Sequence, residues 1–225
     1  MNWDFYLASK VTGVLVFIFA GGRAASKSFG ITYTRAVLIN TLAVFIAFCS
    51  SRLWFIVQNE MGAVLKGASL LDTWNDAGSV LYGWILGGAA GVYFLTREFK
   101  LPFVRYIDAV CPWMLITQFL NRLGCADAGC CFGKLMANGQ PYPIQLVEGI
   151  YDTVLFAFIM LKARRPGESM FLYFTGYATA RFFFEFLRGD NQPAFLFMTV
   201  PQVTSVLVLF LAFRYKKSII SPIAK

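Results

Sequence analysis

Five charged side chains stand where so apolar a chain would be expected to carry none: Arg52, Arg122, Glu148, Arg181 and Glu185 each fall inside, or at the end of, a long apolar run. A charge at mid-bilayer costs about 2.5 to 3.5 kcal/mol on insertion scales, so such residues are kept where they face each other, a ligand or a wet cavity. Arg181 and Glu185 are four apart in Tyr177-Ala-Thr-Ala-Arg181-Phe-Phe-Phe-Glu185-Phe-Leu-Arg188. Helical spacing puts both on one face, with Arg188 one further turn along. They can pair simply to pack the helix. Alternatively, Arg181 presents its planar fork to a lipid phosphate while Glu185 orients it. Glu148 opens another apolar run, where a carboxylate meets the positive end of a helix dipole. Gln145, one turn earlier on about the same face, adds a second polar group that capping does not need.

The stretch Asn121-Arg122-Leu-Gly124-Cys125-Ala-Asp127-Ala-Gly129-Cys130-Cys131-Phe-Gly133 reads as an outer loop. Its glycines let backbone approach a ligand closely, and irregular backbone at membrane depth is tolerated only against protein or a wet cavity. An anion site and a plain glycine-rich turn both fit. Cys49 and Cys111 read as small hydrophobes within spans. Cys125, Cys130 and Cys131 admit a disulfide such as Cys125 to Cys130, simple packing, or a nucleophile whose thiol is acidified beside Arg122. The chain has no His and no CxxC pair, so a zinc site has little support even with Asp127 nearby, and no metal or cofactor is expected. Gly83, Gly87, Gly88 and Gly91 recur at helical spacing, which points to close helix packing. Tyr82, just before them, could reach a lipid headgroup.

The elements that must position these groups are membrane helices. The 225 residues are 58% hydrophobic and 14% charged, with mean hydropathy +0.61. A soluble domain is usually about a quarter charged. Apolar runs at residues 5–20, 37–57, 80–95, 104–120, 144–161, 170–186 and 200–213 predict an all-α integral membrane protein with about seven transmembrane helices, a single polytopic domain over residues 1–225. Residues 22–27, 59–76, 97–102, 121–143, 162–168 and 189–193 read as loops. The first run has no small-residue cleavage pattern, so it is expected to stay as a span.

The net charge of +8 forms no single patch, which argues against nucleic acid. Sorting Lys and Arg by alternate sides puts 13 of the 20 on one side: Arg23, Lys27, Arg35, Arg97, Lys100, Arg105, Lys162, Arg164, Arg165, Arg214, Lys216, Lys217 and Lys225. Positive-inside asymmetry then predicts an outer N-terminus and a cytoplasmic C-terminus, with the polar residues gathered near the outer face.

In order and spacing, Tyr82-Gly83 with Gly87-Gly88, Arg122-x-Gly124 with Gly133, Tyr142-Pro-Ile-Gln145-Leu-Val-Glu148, and Arg181-Phe-Phe-Phe-Glu185-Phe-Leu-Arg188 resemble the bacterial prolipoprotein diacylglyceryl transferase family. Ser51-Arg52-Leu-Trp and Gln202-x-x-Ser205 extend the resemblance over most of the chain. It implies seven spans in the bacterial inner (cytoplasmic) membrane. It also implies transfer of the diacylglyceryl group of phosphatidylglycerol to the lipobox thiol of a lipoprotein precursor, with release of glycerol phosphate.

The resemblance makes Arg122 and Arg181 the headgroup grip, ordered by Glu148 and Glu185. Arg52, Gln145, Gly124, Gly133, Arg188 and Tyr142 become substrate-binding positions. The sequence departs from the family where members carry His at Tyr82, Asn at Cys125, Glu at Cys130 and His at Tyr142. Tyr82, or a thiolate of Cys130 or Cys131, then stands in for the missing groups, and the acceptor can be another nucleophile. Two other classes fit the residues: a non-catalytic lipid-binding or lipid-moving protein, and a membrane thiol oxidoreductase built on the cysteines.

Overall fold

The computed structural model describes residues 3–69, 72–74, 81–189 and 197–220, leaving aside the side chains at positions 3, 4, 58, 59, 63, 81 and 82. Among the described residues the backbone is helical, joined by turns and two isolated bridges, Gly133 with Arg188 and Leu135 with Pro141. The helices are α1 (Trp3–Val16), running through a π segment (Phe17–Gly21) into α2 (Gly22–Phe29), then α3 (Tyr33–Phe55), α4 (Met61–Leu65), α5 (Leu81–Glu98), α6 (Phe103–Asp127), α7 (Ile144–Lys162), α8 (Glu168–Phe184), α9 (Val200–Arg214) and α10 (Lys216–Ile219). Among the described residues three stretches are long and apolar enough to cross a membrane: Phe5–Phe29, Tyr33–Phe55 and Ile144–Lys162. Val200–Arg214 is apolar but shorter.

Three segments expected as loops are helical in whole or part: residues 22–27, residues 121–127 and, within 59–76, α4 at Met61–Leu65. Residues 22–27 continue the first helix, because Gly-Arg-Ala-Ala-Ser-Lys holds no proline and long basic side chains can reach past a helix end toward water. Residues 121–127 are the last turns of α6. The chain leaves helical geometry only beyond them, where Gly129 and Cys131 take positive φ values of 67° and 59°. Arg122 and Cys125 are therefore helical residues with fixed directions.

The chain divides into two compact units, Met1–Ala24 with Ile107–Lys225, and Ala25–Tyr106. In the first, Cys111 and Leu115 of α6, Leu155 and Ile159 of α7 and Tyr173 of α8 form a buried cluster. Asp108 ties α6 to the start of α8 by accepting the N–H groups of Gly167 at 2.8 Å and Met170 at 2.7 Å. Tyr151 of α7 donates its hydroxyl to the Gly176 carbonyl of α8 at 3.0 Å. Phe171 of α8 meets Phe213 of α9 edge to face at 5.6 Å. Thr117 donates to the Gly13 carbonyl at 2.8 Å, and Gly124 leaves room for the Ser9 hydroxyl that a Cβ would strike. Gly124 is thus a helix contact, which costs some helix propensity and allows α1 to approach.

In the second unit α3 packs on α5 through small residues. A Cβ on Gly83 would collide with the Ser51 backbone, and one on Gly87 with Ser50. One on Gly91 would lie 3.3 Å from the Ala43 Cα. The packing reading of this glycine series holds. Tyr106, fully buried, donates to Asn40 Oδ1 at 2.8 Å.

Candidate active site

The two arginines and two glutamates singled out in the sequence come together in the first unit as one alternating chain of charge. Arg122 Nη2 pairs with Glu148 Oε2. Glu148 Oε1 accepts from Arg181 Nη1 at 2.9 Å, and Arg181 Nη2 lies 2.8 Å from Glu185 Oε2. Glu185 Oε1 in turn accepts the Thr199 hydroxyl at 2.8 Å. Thr199 caps α9, where its backbone N–H donates to Gln202 Oε1 at 3.0 Å in a capping box.

Three helices supply these groups because each carries its charge where it leaves an apolar run: Arg122 near the end of α6, Glu148 in the second turn of α7, Arg181 near the end of α8. Glu148 does not serve as a simple cap. It is buried, and both of its oxygens are taken by guanidinium groups.

The carboxylates are the hidden members. Glu148 and Glu185 side chains are 5% and 2% exposed, against 18% for Arg122 and 14% for Arg181. Removing either cation would leave a buried carboxylate short of a partner, which is strongly destabilising. A guanidinium has five N–H donors in a fixed fork. Neither arginine uses all of its donors on these pairs, and both keep an accessible edge. With Glu148, Tyr151, Asp152, Tyr177, Ala180 and Phe184 they line a narrow recess with a free volume of about 10 Å³, room for about one water.

Arg188 is not where helical spacing would put it. The helix tightens into a 3-10 turn at Glu185–Leu187, and Arg188 is extended, with ψ 143°. It bridges Gly133 instead of extending the Arg181 face. Gly133 admits this because a Cβ there would come within 2.6 Å of the Tyr142 carbonyl and 3.0 Å of the Leu187 carbonyl. Tyr142 contributes its backbone: its carbonyl accepts from Gly133 at 3.0 Å and its N–H donates to Lys134 at 2.9 Å. Gln145 donates to the Cys130 carbonyl at 2.8 Å, so it braces the cysteine segment.

The cysteines are free thiols rather than a Cys125 to Cys130 disulfide. The Sγ atoms of Cys125, Cys130 and Cys131 all lie within 4.8 Å of one another. A hydrogen bond from Cys125, with the Arg188 guanidinium alongside, pulls the Cys131 thiol well below its ordinary value.

Arg52 and Tyr82 belong to the second unit. Arg52 donates to the Trp74 carbonyl at 3.1 Å and lies 5.3 Å from the centre of the Phe48 ring. The Tyr82 side chain lies outside the described residues. Asp152, Tyr151, Tyr177 and Thr199 enter the site unannounced by the sequence reading. Asp152 had a legible signal, a carboxylate one turn beyond Glu148 inside the same apolar run.

The sequence profile described as prolipoprotein diacylglyceryl transferase matches residues 3–215. The chain is 30% identical to phosphatidylglycerol–prolipoprotein diacylglyceryl transferase 2 of Clostridium perfringens (strain 13 / Type A) over 186 residues, covering 75% of this chain and 72% of the relative. It is 30% identical over 178 residues to the phosphatidylglycerol–prolipoprotein diacylglyceryl transferase of Clostridium tetani (strain Massachusetts / E88), 71% of each chain. The same-named protein of Staphylococcus aureus (strain MSSA476) is 27% identical over 223 residues, 89% of this chain and 79% of that one.

Proposed function

The chain belongs to the prolipoprotein diacylglyceryl transferase family, and from that premise we propose that it moves the diacylglyceryl group of phosphatidylglycerol to the cysteine thiol of a lipoprotein precursor. The observation that carries the reading is the pair of largely buried guanidinium groups, Arg122 and Arg181, held in register by buried Glu148 and Glu185 around one shared recess.

The chemistry asks for what this arrangement offers. The acceptor sulfur attacks the glycerol carbon that bears the phosphate ester. A C–S bond forms, the C–O bond breaks, and glycerol phosphate leaves with the bonding electron pair. Charge grows on the leaving phosphate oxygens, where cations fixed in advance stabilise it without reorganising at the moment of reaction. Glu148 and Glu185 do not touch the reacting atoms in this scheme. They hold the forks, and Thr199 holds Glu185.

The acceptor thiol must also lose its proton. With no His in the chain, we assign that role to Asp152. It lines the same recess within electrostatic reach of Arg122 and Arg181, yet it forms no salt bridge among the described residues. A carboxylate placed there takes the proton while the arginines keep their partners.

The topology read from charge completes the proposal. The chain forms a single polytopic domain of about seven spans in the bacterial inner membrane, N-terminus outside and C-terminus cytoplasmic, with the site near the outer face. The deciding experiment is a transfer assay with purified protein, labelled phosphatidylglycerol and a lipobox peptide, run beside Arg122→Ala and Arg181→Ala. Thioether product from the wild type, lost by about 100-fold or more in both variants, is expected when a preorganised charge partner of the transition state is removed. Phospholipid bound without any product would overturn the transferase reading in favour of a lipid-binding or lipid-moving protein.

A further inference from the structure

Three of the five cysteines in this chain converge at one point beside, but not in, the arginine recess. Cys125 is in the last turn of α6, and Cys130 and Cys131 follow after a tight turn. The backbone fixes that turn from both sides. Ala128 N–H donates to the Gly124 carbonyl at 2.9 Å, Gly129 to Ala126 at 3.2 Å and Cys130 to Cys125 at 3.1 Å. On the far side Gln145 holds the Cys130 carbonyl at 2.8 Å, and Gly189 donates to the Phe132 carbonyl at 3.0 Å.

Cys131 sits at φ 59°, a left-handed conformation that residues with a Cβ rarely adopt. The turn and the hydrogen bonds on either side of it together bring three partly buried sulfurs to one point.

We propose that Cys125, Cys130 and Cys131 form a three-thiolate site for a closed-shell, thiophilic metal ion of the Zn²⁺, Cd²⁺ or Cu⁺ class. Metal–sulfur bonds of about 2.3 Å set sulfurs roughly 3.8 to 4 Å apart in tetrahedral or trigonal geometry. The observed sulfurs, all within 4.8 Å, therefore need to close by no more than about an ångström. Soft sulfur donors select such ions over Mg²⁺ or Ca²⁺. Three thiolates around a divalent ion leave one negative charge, and the Arg188 guanidinium hydrogen-bonded to Cys131 balances it. Water fills a fourth position.

The missing CxxC spacing does not exclude this site, because the third ligand comes from the helix end and not from the turn. The bound ion ties the end of α6, three residues beyond Arg122, to the segment that bridges Arg188. The proposal stands independently of the transferase reading.

The test uses full-length protein in mild detergent, reduced without thiol reagents, titrated with Cd²⁺ and followed by thiolate-to-metal charge-transfer absorption. The comparison set is Cys49→Ser, Cys125→Ser, Cys130→Ser and Cys131→Ser. One tight equivalent of Cd²⁺ is expected in the wild type and in Cys49→Ser. Each of the other three variants should bind at least about tenfold more weakly, since even outer-shell changes cost that much. Unmutated protein supplies a second readout: Cd²⁺ should shield Cys125, Cys130 and Cys131 from iodoacetamide, read by peptide mass spectrometry, while Cys49 labels at its metal-free rate. No charge-transfer band in the wild type, or equal labelling of the three cysteines with and without Cd²⁺, would overturn the site even if a variant fails to fold.

Discussion

Arg181 spreads one guanidinium across two carboxylates, Nη1 to Glu148 and Nη2 to Glu185, whereas among the described residues Arg122 forms a salt bridge with Glu148 alone. A lysine carries the same charge as a point and cannot bridge two acceptors held in different directions. Arg181→Lys should therefore lose most transfer activity, about 30-fold or more. Arg122→Lys should lose clearly less, and equal losses in kcat/KM would mean that the bridging geometry is not what matters. Asp152→Asn is isosteric and leaves the three salt bridges of the site in place. Loss of a proton acceptor predicts a drop in kcat of about 100-fold with phospholipid binding retained. A collapse of binding instead would make Asp152 a structural partner of the arginines. The identities of Arg122, Glu148, Arg181 and Glu185 were legible in the sequence because charge inside an apolar run is rare. The sharing of Glu148 was not, since its partner Arg181 lies 33 residues away in the chain and only the folded arrangement of α6, α7 and α8 decides which cation a carboxylate meets. Arg188 misled the spacing argument for a local reason: the 3-10 turn at Glu185–Leu187 ended the helix before the next face could form.

At the scale of elements, the apolar runs located the helices well and their ends poorly. Residues 121–127 read as loop because glycine and cysteine clusters resemble turns, yet Gly124 is a glycine because Ser9 of another helix occupies the space of its Cβ. Single-chain patterning cannot distinguish a glycine that turns the backbone from one that admits a neighbour. In α5 the two kinds of helix glycine stand side by side, which makes them separable by experiment. A Cβ on Gly87 would strike Ser50, while the nearest atom to a Cβ on Gly88 is the Ala47 methyl at 3.5 Å, an ordinary contact. Alanine in place of helix glycine stabilises by about 0.8 to 1 kcal/mol where nothing interferes, and overpacking costs about 1 to 3 kcal/mol. Gly88→Ala should leave the thermal midpoint in detergent unchanged or raised, and Gly87→Ala should lower it, followed by intrinsic tryptophan fluorescence. The same sign for both would mean that the α3–α5 contact yields more easily than its small residues imply.

Over the whole molecule, side chains such as Leu7, Phe45, Phe94, Phe158, Leu161 and Phe210 remain exposed on the helices, a surface suited to lipid and not to water. The orientation in the bilayer follows from where the cations sit. Helix α7, one of the three long apolar helices, spans 19 residues, about 28 Å at 1.5 Å per residue, enough to cross the hydrocarbon core. One end is followed by Lys162, Arg164 and Arg165; the segment before the other, residues 135–143, carries no Lys or Arg, with Lys134 just beyond it. Positive-inside bias predicts a cytoplasmic Lys162 end, with residues 128–143, the cysteine cluster and the Arg122 end of α6 outside. Alkaline phosphatase, active only outside the cytoplasm, gives the test when inserted after Asn138 or after Arg165 in the full-length chain. Activity at 138 and none at 165 is the expected result. The reverse pattern would invert the molecule and put the recess on the cytoplasmic side, while equal activity at both positions would mean that α7 does not cross. Either failure would also remove the reason for a secreted precursor to meet Arg122 and Arg181, so the topology and the proposed acceptor stand or fall on one pair of insertions.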